Sequence, residues 1–187
     1  MTIGILSLQG AFEEHKKVLN QLGVDCIELR NSNDLSKKYD GIVLPGGEST
    51  VQGKLLHQTG MYNTVRQQIL SGMPVLATCA GMILLASKIE NDHNTYFSTI
   101  PMTVKRNAYG RQLGSFHTIS KVKIIGDDIP MTFIRAPYVS KVEDGVEVHA
   151  TVNEKIVGVK YKNQLAFAFH PELDNDTRIH QEFIKLI

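Results

Sequence analysis

Cys79 stands where one apolar run, Val75-Leu76-Ala77-Thr78, meets another, Met82-Ile83-Leu84-Leu85-Ala86, with Ala80-Gly81 at the junction. The pattern is that of a buried strand turning sharply into a helix. Such a bend crowds the backbone and needs small neighbours, which Ala77 and Gly81 supply two positions to either side. A sulfur on this elbow is presented at a helix N-terminus, where unsatisfied N–H groups and the positive dipole end favour a thiolate and can also bind an oxyanion. The chemistry this suggests is nucleophilic attack by sulfur. The other cysteine, Cys26, lies between Val24 and Leu29 with no bend or glycine beside it, and reads as a small hydrophobe in a strand. The elbow alone also suits redox sensing.

A thiolate attacking an amide needs a proton shuttle for the leaving amine, usually a histidine held by a carboxylate. Among seven histidines, His170 and His180 carry a glutamate two positions on, as His170-Pro171-Glu172 and His180-Gln181-Glu182. The second pair falls in a helical pattern, where residues two apart point about 200° apart, so it reads as a solvated face. At a strand end the same spacing puts both side chains on one side, and Pro171 biases His170 to an extended conformation. Glu147 and His149 alternate in Val146-Glu147-Val148-His149 and would align equally well, although polar residues on the wet face of an antiparallel strand explain that alternation more simply. Spacing alone leaves His149 in contention.

Pro45-Gly46-Gly47-Glu48-Ser49-Thr50 follows a short apolar run and opens a helix, so its amides resemble an anion or oxyanion nest. Neither a Gly-x-x-x-x-Gly-Lys pattern nor a Gly-x-Gly-x-x-Gly fingerprint accompanies it, which disfavours nucleotide binding. Arg106 and Arg135 sit just beyond strand-like runs, where a polar ligand could be held. By themselves two arginines mean little.

These residues need a frame. Ile3–Leu8, Val24–Leu29, Gly41–Leu44 and Pro74–Thr78 read as short apolar strands. Helical stretches fall between them: one containing Phe12, Val18 and Leu22 and closed by Gly23, one over Thr50–His57 with Ser49 as a possible cap, and one over Tyr62–Leu70. Alternation of this kind predicts an α/β fold, a parallel sheet covered on both faces with its site at the strands' C-terminal ends. Beyond Asn91 the segments Thr99–Lys105, Gly114–Ile125, Met131–Ile134 and Val146–Val152 look antiparallel and partly exposed. Lys155–Tyr161 and Gln164–Phe169 suggest a hairpin through Lys162-Asn163, and Asp176–Ile187 a closing helix.

The 187 residues suit one domain, spanning 1–187. Twenty Lys and Arg against nineteen Asp and Glu give a net charge of +1, too weak a field to favour nucleic acid or an anionic membrane as partner. The apolar opening, Met1–Leu8, has no basic segment before it and soon meets Glu13, Glu14 and His15, so it reads as a strand and not a signal peptide. No run approaches the roughly 18 apolar residues of a membrane span. Two cysteines make neither a disulfide framework nor a four-thiolate metal site, and a reducing cytoplasm is the expected location.

Taken together, Pro45-Gly46-Gly47-Glu48-Ser49, Thr78-Cys79-Ala80-Gly81 and Phe169-His170-Pro171-Glu172 resemble the class I glutamine amidotransferases. Within that class, Leu8-Gln9-Gly10, Gly46–Thr50, Thr78–Ala86, Arg106-Asn107-Ala108-Tyr109-Gly110-Arg111-Gln112 and Phe133–Pro137 are similar to the glutaminase subunits of pyridoxal 5′-phosphate synthase. The resemblance implies a three-layer flavodoxin-like sheet, mostly parallel with antiparallel additions in its second half. It implies that Cys79 attacks the glutamine carboxamide, His170 shuttles protons and Glu172 orients His170. It further implies that Gly47, Glu48, Ser49, Arg106, Ile134 and Arg135 contact L-glutamine, and that amides at Gly47 and Ala80 face the oxyanion, each donor contributing about 3 kcal/mol. No metal or cofactor is implied. Ammonia would pass to a separate synthase subunit in a hetero-oligomer, with Gln9 near the interface. Tyr109 where Phe is common and Val51 where Thr often stands are departures outside this chemistry. A related thiol-elbow hydrolase, a redox protein, or a glutaminase serving another acceptor enzyme are the rival readings.

Overall fold

The computed structural model describes residues 1–107 and 114–187. The first half runs β1 (Thr2–Leu6), α1 (Phe12–Gln21), β2 (Asp25–Leu29), β3 (Gly41–Leu44), α2 (Ser49–Gln58), α3 (Tyr62–Leu70), β4 (Val75–Thr78) and α4 (Ala80–Leu85). The second half runs β5 (Ala86–Ile89), β6 (Ile100–Lys105), β7 (Ser115–Val122), β8 (Gly126–Ile134), β9 (Tyr138–Val142), β10 (Glu147–Val152), β11 (Lys155–Tyr161), β12 (Gln164–Phe167) and α5 (Arg178–Ile184). Single 3₁₀ turns lie at Ser32–Ser36 and Pro171–Leu173.

Strands β2-β1-β3-β4-β12 lie side by side and all parallel. The central ones, β3, β4 and β12, are buried along their whole length, which is why they read as unbroken apolar runs. This is the flavodoxin-like α/β architecture, and it puts helices on both faces. From β1 the chain moves to one side through α1, and from β3 to the other through α2 and α3. Right-handed crossovers then send these helices to opposite faces and leave a crevice at the carboxyl ends of β1 and β3. Antiparallel β11, β9 and β6 extend the sheet, with β5 parallel to β6 at the far edge and β10 paired to β11. β7 and β8 form a separate hairpin.

Local chemistry sets most boundaries. α1 ends in a Schellman arrangement: Gly23 takes φ 75°, its N–H donates to Asn20 O at 3.0 Å, and Val24 N–H donates to Leu19 O at 3.0 Å. Ser49 is the first helical residue of α2 and makes no cap, because Glu48 occupies that position. The apolar run after Cys79 stops being helical at Leu85, one residue earlier than its hydrophobicity suggests, since Leu84 O and Leu85 O accept from Phe97 N–H and Thr99 N–H. Ala86 therefore begins β5. That strand and β9, whose residues are half exposed without alternation, carry no clear sequence signal. β8 starts at Gly126 and tolerates Pro130 because its hairpin leaves that edge unpaired. α5 starts at Arg178, two residues later than expected, where Asp176 Oδ1 accepts Arg178 N–H at 2.9 Å and holds the preceding turn. Among the described residues no helix is long and apolar enough to cross a membrane.

Candidate active site

Cys79, between β4 and α4, takes φ 48° and ψ −104°, a conformation an L-residue adopts at a cost of about 1–3 kcal/mol. Packing enforces it. Cys79 N–H donates to Phe167 O of β12 at 2.8 Å, and α4 lies so close to β3 that a Cβ on Gly81 would meet Leu44 O at 2.0 Å. The strained turn brings Sγ to 3.9 Å from Ile134 O.

His170 follows β12, but its place is fixed from β8: its N–H donates to Thr132 O at 2.8 Å, and Phe169 packs between Phe133 and Phe167 with ring centroids 5.7 and 5.2 Å away. The pairing with Glu172 differs from the extended strand end expected from spacing. His170 takes φ −109° and ψ 81°, short of a fully extended conformation, and Pro171 then opens a 3₁₀ turn that folds Glu172 back beneath the ring. Nδ1 and Glu172 Oε1 are 2.7 Å apart in a nearly dry setting. A carboxylate accepts, so Nδ1 carries the proton and Nε2 is left for the thiol. Burial pulls the His170 imidazolium down, yet the hydrogen bonds and charges of Cys79 and Glu172 outweigh it and raise its pKa from 6.5 to about 10. Burial likewise disfavours the Glu172 carboxylate, and the histidines around it reverse that, leaving it below the usual range.

The two competing histidines come out differently. His149 is buried, because a bulge between Val148 and Ala150 turns it inward and Val148 outward. It is not on a wet face; Glu147 Oε2 is 3.8 Å away, and neither ring nitrogen has a hydrogen-bond partner among the described residues. His180 does not pair with Glu182, whose carboxylate goes to Lys185 at 2.9 Å. Nor is it solvated: it is fully buried, with Nε2 2.9 Å from His15 Nδ1.

Cys79 and His170 line a cavity of 330 Å³ whose other walls include Gln9, Gly47, Glu48, Ser49, Arg106, Ile134 and Arg135. That volume suits a small polar metabolite. Each of the six residues that the resemblance ties to glutamine reaches this wall; Ala80, the first residue of α4, is not among those that line it. Arg135 Nη2 donates to Glu48 Oε1 at 2.7 Å across the opening. Arg106 is braced by Asp92 at 3.0 Å and by the Tyr96 hydroxyl at 3.0 Å. Residues 108–112 of the motif that begins at Arg106, Tyr109 among them, lie outside the described residues.

The Gly46-Gly47 turn is clamped from several sides. Gln9 Oε1 accepts Glu48 N–H at 2.8 Å, and Gln52 Nε2 donates to Gln9 O at 2.9 Å and Pro45 O at 3.2 Å. Thr78 Oγ1 accepts Gly46 N–H at 3.1 Å. A Cβ on Gly46 would stand 2.3 Å from His170 Cε1, so the turn is packed against the imidazole itself. Sequence reasoning missed His15, Thr78 and Gln52. For His15 a signal existed, since it lies three residues from both Phe12 and Val18, inside the apolar stripe of α1.

A model of the SNO glutamine amidotransferase family matches residues 5–187. The chain belongs to this family. It is 56% identical over 187 residues to a protein of Desulfitobacterium hafniense strain Y51 named pyridoxal 5′-phosphate synthase subunit PdxT, covering all of this chain and 94% of that one. It is 54% identical over 189 residues to a PdxT of Streptococcus pneumoniae strain ATCC 700669, covering all of this chain and 97% of that one. Among solved structures, a crystal structure of a glutamine amidotransferase superposes with a TM-score of 0.92 at 38% identity, covering 98% of this chain and 97% of the other. A putative GMP synthase subunit from Thermoplasma acidophilum, 20% identical with a TM-score of 0.73 over all of this chain and 93% of its own, shares the fold. The elbow cysteine of this SNO family member thus faces its cavity beside a carboxylate-held histidine.

Proposed function

We propose that the chain acts as a single glutaminase domain that hydrolyses L-glutamine to L-glutamate and ammonia with Cys79 as nucleophile, His170 as proton carrier and Glu172 as its orienting carboxylate. The reading rests on one observation: Cys79 and His170 border the same small cavity, with the Glu172 carboxylate hydrogen-bonded behind the imidazole at 2.7 Å.

The Cys79 sulfur attacks the carboxamide carbon, and the developing oxyanion is met by amides of Gly47 and Ala80. His170 Nε2–H protonates the departing nitrogen as the C–N bond breaks, so ammonia leaves and a thioester remains. The neutral imidazole then takes a proton from water as its oxygen attacks the thioester. Breaking the C–S bond releases glutamate and restores the thiolate and imidazolium. Gly47, Glu48, Ser49, Arg106, Ile134 and Arg135 hold the amino-acid end of glutamine; Glu48 suits its ammonium and the arginines its carboxylate.

The names of relatives at 54–56% identity over the full chain support a partner, the synthase subunit of pyridoxal 5′-phosphate synthase, as recipient of the ammonia. Gln9, exposed in part beside the Gly47 turn, is the candidate interface residue. The setting is cytoplasmic. Electrophilic glutamine analogues test the assignment. Labelling is expected on Cys79 and absent from Cys26, where burial pushes the thiol up to about 11; Cys79→Ala should abolish ammonia release in the presence of the synthase subunit. Label found on Cys26, or ammonia release surviving in Cys79→Ala, would reject it.

A further inference from the structure

Behind the site lies a polar chain that the hydrolysis steps leave unused. Glu172 uses Oε1 on His170, and its buried Oε2 has no hydrogen-bond partner among the described residues. The group that approaches Oε2 is His15 Nε2, at 3.3 Å. This nitrogen is also 3.1 Å from Thr78 Oγ1, and the other nitrogen of the same ring is 2.9 Å from His180 Nε2. His15 and His180 are both fully buried, come from α1 and α5, and meet with ring centroids 5.1 Å apart.

Two features decide how the protons are arranged. A bare Nε2 on His15 would point a lone pair at a carboxylate oxygen, which is repulsive; an Nε2–H is attracted to it. His15 Nδ1 must then accept, so His180 Nε2 donates. That leaves His180 Nδ1 as a bare acceptor, and Nδ1 is the His180 ring nitrogen with no partner among the described residues. The opposite arrangement would strand an N–H there in a dry interior. Both ends of the chain select the same direction, from His180 to His15 to Glu172.

We infer that His15 and His180 are positioning residues for the reaction, a neutral two-histidine relay that keeps the His15 Nε2–H, hydrogen-bonded to Thr78 Oγ1, 3.3 Å from Glu172 Oε2 and so holds the carboxylate ionised beside His170. This rests on the triad reading above. The relay explains why histidines occupy sites where leucine would pack without unpaired polar atoms. It also reaches the oxyanion turn, because Thr78 Oγ1 takes both the His15 contact and the Gly46 N–H. The charged or titratable groups facing His15 are Glu172 from the 3₁₀ turn, His180 from α5, His170 beyond Glu172, and Glu14 on its own helix.

Three variants test the relay in complex with the synthase subunit. His15→Leu removes the donor, His15→Gln restores an N–H of similar reach, and His180→Phe removes the group that orients His15. Ammonia release gives kcat and KM, and mass spectrometry of the Cys79 peptide gives its alkylation rate by iodoacetamide across pH. For His15→Leu we expect kcat to fall roughly 10- to 100-fold, as for loss of a polar N–H that faces a buried charged group, with KM within about 3-fold. The Cys79 alkylation profile should shift toward higher pH. His15→Gln should recover most of both, and His180→Phe should move both in the same direction by less. Equal losses in His15→Leu and His15→Gln, or an unchanged alkylation profile in His15→Leu, would overturn the relay while leaving the triad reading intact. Should His15→Leu fail to fold, His180→Phe carries the same readouts, and an unchanged kcat there overturns the relay. Ammonia release by Cys79→Ala would overturn both readings.

Discussion

Glu172→Gln separates the charge of the carboxylate proposed to orient His170 from its shape. The His170 imidazolium is raised from 6.5 to about 10 by its two partners, Cys79 and Glu172, against the pull of burial. That elevation corresponds to about 5 kcal/mol in favour of the charged ring. If the carboxylate supplies half, its neutral isostere loses about 2–3 kcal/mol at the step where imidazolium protonates the leaving nitrogen, or roughly 30- to 150-fold in kcat. The sign of the pH effect follows from the same numbers. A raised histidine pKa keeps the ring charged until pH climbs through about 10; in Glu172→Gln the imidazolium is lost at lower pH, nearer the ordinary 6.5. Steady-state ammonia release with the synthase subunit, measured from pH 6 to 10, gives both quantities. The alkaline limb of kcat should move down by more than one unit in the variant while KM stays within about 3-fold. A variant whose limb does not move, or whose kcat falls less than 3-fold, would refute the orienting role of Glu172.

The buried histidines predict acid sensitivity. Burial lowers His15 below 6.5 and, with repulsion from His15, lowers His180 to about 3, so unfolding below pH 6.5 takes up protons that the folded state refuses. Stability contributed by their neutral forms is complete above pH 6.5 and falls as pH drops toward those lowered values, by up to about 1.4 kcal/mol per unit for each group. Melting temperature should therefore decline steadily between pH 6.5 and 4.5, and more gently in His180→Phe; parallel declines would contradict this. Gly81→Ala should lower the melting temperature by roughly 3–10 °C, the effect of about 1–3 kcal/mol of overpacking, because its Cβ would meet a backbone oxygen at 2.0 Å. An unshifted melt with full Cys79 labelling would show that α4 can retreat from β3.

The parts of the site that lie on continuous chain were legible. Cys79 between two apolar runs and Gly46-Gly47 after a third announce turns at strand ends, because only small residues fit there and apolar runs of that length bury themselves. His170 with Glu172 was readable as a pair, but not as a turn: a spacing of two fits an extended segment or a 3₁₀ turn, and Pro171 permits both. His149 was misjudged because a bulge reverses the facing of a strand without altering its letters. His180 was misjudged because what buries it is α1, distant in sequence, through His15. Tertiary partners, not local propensity, set those environments. β5 and β9 were invisible for the same reason, as their backbone pairing is decided by β6 rather than by their own side chains.

One hairpin ties substrate to base. β8 supplies Thr132 O to the His170 amide, Phe133 to the packing of Phe169 and Ile134 O to the neighbourhood of Cys79 Sγ, and Arg135, the residue after it, reaches the cavity mouth. Four consecutive residues thus contact the proposed base, its anchor, the proposed nucleophile and the proposed amino-acid subsite. Arg135 itself holds φ 43°, its N–H bound to Gly114 O at the start of the paired strand, so it cannot relax independently of β8. A ligand that draws Arg135 away from Glu48 pulls on the strand whose Thr132 carbonyl fixes His170. In the proposed binding mode, binding energy at the amino-acid end of glutamine can in this way act on imidazole placement at the carboxamide end, where only transition-state contacts raise kcat.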